Sequence, residues 1–436
     1  MSIAEKLAQI AENEQKVYNA GYEKGKAEGG GGRVAVEEKD VNFYDYDGTL
    51  LYSYTLEEAQ ALTELPPAPD WHDELVFFEW NWSLDAIKAE NCQIDVGAMY
   101  DTNDGKAHLH ITIEEYASKV VSLVALGYNG YGGCIDWGDG SEILTVAAQT
   151  PTNYSHEYQS AGNYVIKVWA DSTYIYLGYN SGSTNMFGAT SNQKPQALLL
   201  RKAFVGTKCR VERYCFAYCS QLEYVTLNPN HGVSYGMCQG ASNLVCCHLA
   251  KRNYKHNYYA FRDCGSLRCA TLSDATTYIS SGQFRNCNTL KRIRGKKSVI
   301  FSESYNFYTC TALTEARGVM NSGSTAAFYQ NFALRKFEFG DASTGIPNQA
   351  FDSCYALQSL DIPSSVTTIG SQALRNVLCM RKLKFNSVTP PTVANANAFE
   401  SFPADCVVEV PKGTLATYQA ATNYASIAAQ MVEVSE

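Results

Sequence analysis

A chain of 436 residues with 45% hydrophobic content can bury cores in two to four domains. Its formal net charge of −9 and a charged fraction of only 18% argue against a nucleic-acid partner gripped by its phosphates. No apolar run is long enough to span a bilayer, so no membrane insertion is expected, and residues 1–30 carry scattered charges where a secretory signal has an apolar centre.

Residues 2 to about 28 read as a helix. Ser2 can cap it, Glu5 completes a capping box, and Ile3, Leu7, Ile10 and Val17 form a one-sided apolar stripe. So short a helix is marginal alone. The stripe therefore predicts a homo-oligomer, as a trimer, or docking to a larger particle; the alternative is a frayed tail. Gly29 to Gly32 follow as a flexible linker, closing a first unit at residues 1–32.

The segment "VNFYDYDGTLLYSYT", Val41 to Thr55, alternates around Asp45-Tyr46-Asp47-Gly48. Asp-Gly between alternating apolar residues predicts a hairpin. The string D-x-D-G-T-L also resembles the nucleophile loop of haloacid-dehalogenase-type phosphatases, in which the first Asp attacks phosphorus and the second is general acid/base. That fold needs a buried parallel strand before the loop. Here the preceding segment is short and alternating, and no partner motif follows, so DYDG is expected to be a turn. The longer run, on to "FFEWNWSL", is similar to the internalin B-repeat family of small β modules, with Glu79 replacing the family's Gly before Trp80. This sets a β module at 33–94.

In residues 95–194, Trp137-Gly138-Asp139-Gly140-Ser141 is followed by His156 and Tyr158, then by Gly162, Tyr164, Val165 and Val168. Asp-Gly suits a tight turn, and "NYVIKVW" suits a strand with one buried face. The three spaced pieces resemble polycystic-kidney-disease (PKD) domains, which implies an immunoglobulin-like, PKD-like sandwich serving as a spacer or sugar-contacting module. His108 and His110 lie two apart on a strand and share a face; a solvated face is expected there rather than a metal pair.

From about 195 the chain is periodic. The unit F-x2-C-x2-L recurs with first positions Phe216, Cys238, Phe261, Phe284, Phe307, Phe328, Phe351 and Leu374, spaced 21 to 23 residues apart. So regular a period means stacked units in a solenoid. "IPNQAFDSCYALQSLDIPSSVTTIGSQAL", Ile346 to Leu374, resembles BspA-like leucine-rich repeats, and "VEVPKGTLATYQAATNYASI" looks like the segment that caps such arrays. The expected fold is mainly β: a leucine-rich-repeat solenoid over 195–436, preceded by the two small β modules and the N-terminal helix.

Fifteen Cys is an odd number, and no C-x2-C pair faces another. Cys219, Cys264, Cys287, Cys310 and Cys354 share one register and are expected to stack as free buried thiols rather than disulfides. Cys246-Cys247-His248 suggests a metal site or a nucleophile, but no repeated partner accompanies it. No catalytic residue, metal or cofactor is therefore expected.

Tyrosines crowd the positions around the repeat phenylalanine. Tyr offers large contact area at little rotamer entropy, so Tyr214, Tyr235, Tyr258, Tyr259, Tyr305, Tyr308 and Tyr329 are candidate ligand-binding residues, with packing between turns as the alternative. The whole layout, including residues 2–29, resembles leucine-rich-repeat proteins of phages and prophages. The resemblance implies a non-enzymatic receptor-binding or tail-fibre protein of the virion that recognises a host cell-surface glycan or protein. A BspA-type bacterial surface adhesin is the alternative.

Overall fold

The computed structural model describes residues 36–69, 72–128, 130–148, 151–178, 185–191, 194–251, 257–301 and 303–434. The expected N-terminal helix and glycine linker lie outside these residues.

The Asp-Gly hairpin is present. β1 (Val41–Tyr44) and β2 (Leu50–Tyr54) pair antiparallel. Asp45 N–H donates to Thr49 O (2.9 Å) and Gly48 N–H to Asp45 O (3.0 Å). β3 (Leu75–Trp80) and β4 (Ile94–Thr102) complete a four-stranded sheet in the order β2-β1-β4-β3, with β1 and β4 parallel. Two short helices flank it: α1 (Leu56–Ala61), opened by a Thr55/Glu58 capping box, and α2 (Leu84–Glu90), capped by Ser83. Phe43, Trp80, Trp82, Ile94 and Val96 fill the core. The strand before DYDG differs from the sequence reading. β1 is buried along its whole length and has a parallel neighbour, because it lies inside the sheet. Its polar Asn42 is satisfied by Asp95 Oδ1 (3.0 Å) and Ser53 Oγ (2.7 Å). β4 also runs to Thr102, past the expected boundary at residue 94.

β5 (Ala107–Ile113), β6 (Val120–Gly127), β7 (Gly133–Asp136), β8 (Leu144–Val146), β9 (Thr152–Glu157), β10 (Gly162–Ala170) and β11 (Ile175–Leu177) build two sheets. β5, β10, β7 and β8 adjoin in one; β11, β6 and β9 adjoin in the other. The three sequence pieces meet at one end. Trp137 stacks on His156 (centroids 5.1 Å apart, 13°), His156 Nε2 lies 2.7 Å from Asp139 Oδ2, and Tyr158 donates to Trp137 O (2.8 Å). The histidine pair on β5 is not a solvated face. His108 is 1% exposed, and both rings approach Glu74 of the first module, His108 Nδ1 at 3.4 Å and His110 Nε2 at 2.6 Å. The His108 and His110 imidazoles beside it hold the Glu74 carboxyl far below the usual range.

β12 (Leu200–Val205) joins the sandwich to the repeats. It pairs antiparallel with β5 on one edge and parallel with β14 (Tyr224–Leu227) on the other, while β13 (Cys209–Val211) extends the second sheet beside β11. With β15 (Cys246–His248) and β16 (Cys269–Thr271), one eight-stranded sheet runs from sandwich into solenoid, and the two share one hydrophobic core. The sandwich thereby closes the first end of the array, as a terminal cap must.

Inside the solenoid the repeat phenylalanines form a continuous stack. Phe261, Phe284, Phe307, Phe328 and Phe351 lie 5.3 to 5.8 Å apart, within 12° of parallel. The cysteines three residues further on are free and fully buried. Cys287, Cys310 and Cys354 donate their S–H to the phenylalanine carbonyl of the preceding repeat at 3.1, 2.9 and 3.1 Å. That carbonyl faces the core, where a missing donor costs stability. A second strand ladder continues through Glu315–Gly318, Lys336–Phe339, Ser359–Ile362 and Lys382–Phe385. Val407–Val410, helix α3 (Leu415–Gln419) and Met431–Glu433, with buried Tyr418 and Tyr424, cap the far end.

Candidate functional site

Each repeat bends through two left-handed residues, two before and two after its phenylalanine position. Tyr214, Gly236, Tyr259, Gly282, Tyr305, Ala326, Gln349 and Gln372 take the first place, with φ between +54° and +64°. Their N–H groups donate to the next repeat, Tyr214 to Tyr235 O (2.9 Å) and Tyr259 to Ser281 O (3.1 Å), so this backbone aims the donor along the array. Gly adopts it freely, whereas a residue with a Cβ pays about 1–2 kcal/mol. Tyr and Gly alternate for a steric reason. A Cβ on Gly236 would lie 2.4 Å from Tyr214 Cε1, and one on Gly282 would lie 2.6 Å from Tyr259 Cδ1. Each ring thus lies across the following repeat's glycine.

The structure places all seven sequence-chosen tyrosines on this turn face, half-buried, in two groups. Tyr235 packs against Tyr214, Tyr258 and Tyr259 at 5.3, 5.8 and 5.8 Å. Tyr308 packs against Tyr305 (5.4 Å) and stacks on Tyr329 (4.8 Å). Sequence reasoning missed the arginines between them. Arg213 and Arg262 sit 5.7 and 5.6 Å from the Tyr235 and Tyr259 rings, and Arg285 sits 5.5 and 4.8 Å from Tyr305 and Tyr308. Arg262 and Arg285 each follow a repeat phenylalanine, so their shared column was readable in the repeat alignment. Tyr258 donates to Glu303 (2.7 Å), and that bond pushes its hydroxyl up to about 12.

The strand face of the early repeats is covered by the first β module. Asn81 donates to Leu249 O (3.1 Å) and Thr271 Oγ1 (3.0 Å), and Trp82 Nε1 donates to Leu272 O (2.6 Å). Arg292 bridges Glu38 (2.5 Å) and Asp95 (3.0 Å), and also reaches the Tyr44 hydroxyl. Burial alone would raise the Glu38 carboxyl, but Arg292 outweighs it and holds it below the usual range. Asp45, the would-be nucleophile, accepts from Tyr100 OH (2.5 Å), from Tyr46 N–H (2.8 Å) and lies 3.1 Å from His72 Nε2. Its carboxylate is thus committed to holding the hairpin.

The same docking brings together a group that no single repeat contains. Cys246, His248 and Cys269 place one ligand atom each within 4.8 Å of one another. Cys246 and Cys269 are direct partners in neighbouring parallel strands. Cys269 follows Cys246 by one repeat, so the period itself was the signal that could have found it. His248 Nε2 meets Asp45 O (2.7 Å) and Nδ1 meets Thr271 Oγ1 (2.9 Å). Desolvation keeps its pKa below the ordinary histidine value.

Residues 207–314 and 317–403 match, in six copies, the family described as BspA type Leucine rich repeat region. No curated protein is significantly similar to the chain. Among solved structures, a leucine rich cell surface protein from Faecalibacterium prausnitzii A2-165 is similar at 17% identity over 54% of this chain and 78% of that one, with a TM-score of 0.29. A leucine-rich repeat protein from Bacteroides ovatus ATCC 8483 is similar at 18% identity over 54% and 83%, with a TM-score of 0.23. Among the described residues, no helix is long and apolar enough to cross a membrane. Over those matched residues, somewhat less than half of the chain, the repeats are similar to the BspA type.

Proposed function

We propose that this chain is a non-enzymatic recognition protein of a phage tail, and that it binds a host cell-surface glycan or protein through the tyrosine–arginine face of its repeats. The observation that carries the reading is the clustering of tyrosine rings and guanidinium groups on one face: Tyr235 packs against Tyr214, Tyr258 and Tyr259, and Arg285 lies over Tyr305 and Tyr308. Aromatic faces beside guanidinium groups suit the apolar faces and hydroxyls of sugars, and equally the aromatic and acidic side chains of a protein. The strand face is engaged with the first module, and Asp45 with its own hairpin, which favours the turn face over either as the working surface. Placement on a virion rests on the resemblance of residues 2–29 and of the whole layout to phage proteins.

The test is binding of fluorescently labelled chain to host cells. The triple substitution Tyr235→Ala, Tyr258→Ala, Tyr308→Ala should weaken apparent affinity by about 10-fold or more, with the urea midpoint little changed. Undiminished binding sinks the proposal. The type of the repeats favours a second reading, a bacterial cell-surface adhesin; immunogold labelling of intact virions and of cells separates the two.

A further inference from the structure

Two sequence features that the proposed function does not use meet at one place: the DYDG turn and the Cys-Cys-His strand. We infer that Cys246, His248 and Cys269 form a Zn²⁺-binding site that fastens the first β module to the repeat sheet. Around tetrahedral Zn²⁺, with Zn–S about 2.3 Å and Zn–N about 2.0 Å, neighbouring ligand atoms stand about 3.5–3.8 Å apart. Cys246 Sγ lies 3.7 and 3.9 Å from the two His248 nitrogens, and all three ligand atoms fall within 4.8 Å. Small side-chain rotations suffice to close them on one ion.

The imidazole is already arranged as a ligand. Asp45 O, a carbonyl, can only accept, so His248 Nε2 carries the proton at 2.7 Å and Nδ1 keeps its lone pair, which now accepts from Thr271 Oγ1 (2.9 Å) and which an ion would take over. Metal-bound histidines are usually held this way, the second nitrogen donating to a carbonyl or carboxylate. Here that carbonyl belongs to the DYDG turn, so the ligand is oriented by the module it would fasten. Two glycines make room. A Cβ on Gly48 would sit 3.5 Å from the Cβ atoms of both Cys246 and Cys269, and one on Gly97 would lie 2.3 Å from His248 Cγ. Binding replaces two thiol protons, which pass to solvent, and the two thiolates cancel the charge of the dication. A water completes the coordination.

The experiment uses the full chain, reduced and stripped with chelator, titrated with Co²⁺ and then Zn²⁺. One Co²⁺ per chain should give a thiolate-to-cobalt charge-transfer band that one equivalent of Zn²⁺ abolishes. Zn²⁺ should also raise the unfolding temperature. Both effects should disappear in Cys246→Ser and Cys269→Ser and survive in Cys134→Ser and Cys379→Ser, which remove half-buried thiols elsewhere. No charge-transfer band in the unaltered chain overturns the inference, whatever the variants do. So does a band that survives Cys269→Ser, or a Cys246–Cys269 disulfide recovered by peptide mapping.

Discussion

Asn331 stands in the column that Cys287, Cys310 and Cys354 occupy in neighbouring repeats, and it does the same work: its Nδ2 donates to Phe307 O at 3.0 Å. A thiol meets that demand with nothing left over, whereas the Asn331 Oδ1 is buried without a partner. A buried unpartnered oxygen costs about 1–3 kcal/mol. Asn331→Cys should therefore stabilise the chain by about 1 kcal/mol, read as a higher urea midpoint at unchanged slope. Cys310→Ala should do the reverse by about 1–2 kcal/mol, since it removes the donor and opens a small void. The column itself was legible, because F-x2-C-x2-L fixes which residues stack. That the thiol serves as a donor was not, since its acceptor lies 26 residues back, in the preceding repeat. The left-handed tyrosines were equally hidden: composition marked them as surface aromatics, and only backbone geometry shows that their neighbours are glycine for a reason. Tyr259→Gly trades the lost ring contacts against relieved strain, so stability should move by no more than about 1 kcal/mol while host-cell binding falls.

Among the elements, the turn of the WGDGS loop carries a pH signature. Burial would raise the Asp139 carboxyl, but hydrogen bonds from Ser141 and His156 outweigh it and bring it down to about 2. A carboxylate lowered by folding adds stability that is fully present above the ordinary pKa of 3.8 and is lost as pH falls toward 2. Asp139→Asn should thus flatten the pH dependence of the unfolding temperature between about pH 4 and pH 2, and a parallel curve for the variant would refute the assignment. The pieces of that loop were readable because they recur at fixed spacing within one element. The docking of the first module was not readable: Arg292 reaches Glu38 and Asp95 across about 200 residues or more, and a repeat pattern reports only what a unit shares with its neighbours. Alternation failed on β1 for a related reason, since both faces of the sheet are covered there and the polar Asn42 is buried along with Val41 and Phe43. Asp95 is 4% exposed, so Arg292→Met should leave it with only Asn42 (3.0 Å) and the more distant Arg294 (3.8 Å), costing about 1–3 kcal/mol by chemical denaturation.

For the whole molecule, the first module covers the strand face of the early repeats and leaves the turn face for the proposed binding. We propose that the stripe Ile3, Leu7, Ile10 and Val17 assembles the chain as a trimer or docks it to a larger particle. Deleting residues 1–32 should convert a trimer into a monomer by light scattering and lower apparent affinity for host cells by about 10²-fold, the loss of multivalency alone. A truncated chain that keeps both oligomer and affinity refutes the stem. The alternation along the turn face, in turn, constrains how the gene can change length. Tyr214, Tyr259 and Tyr305 are 45 and 46 residues apart, two repeats at a time. Loss of the unit bearing Gly236 or Gly282 would set one tyrosine against the next, a Cβ where only a hydrogen fits, whereas loss of the unit bearing Tyr259 sets glycine beside glycine. Between residues 214 and 305 a glycine unit should therefore be lost only together with a tyrosine unit.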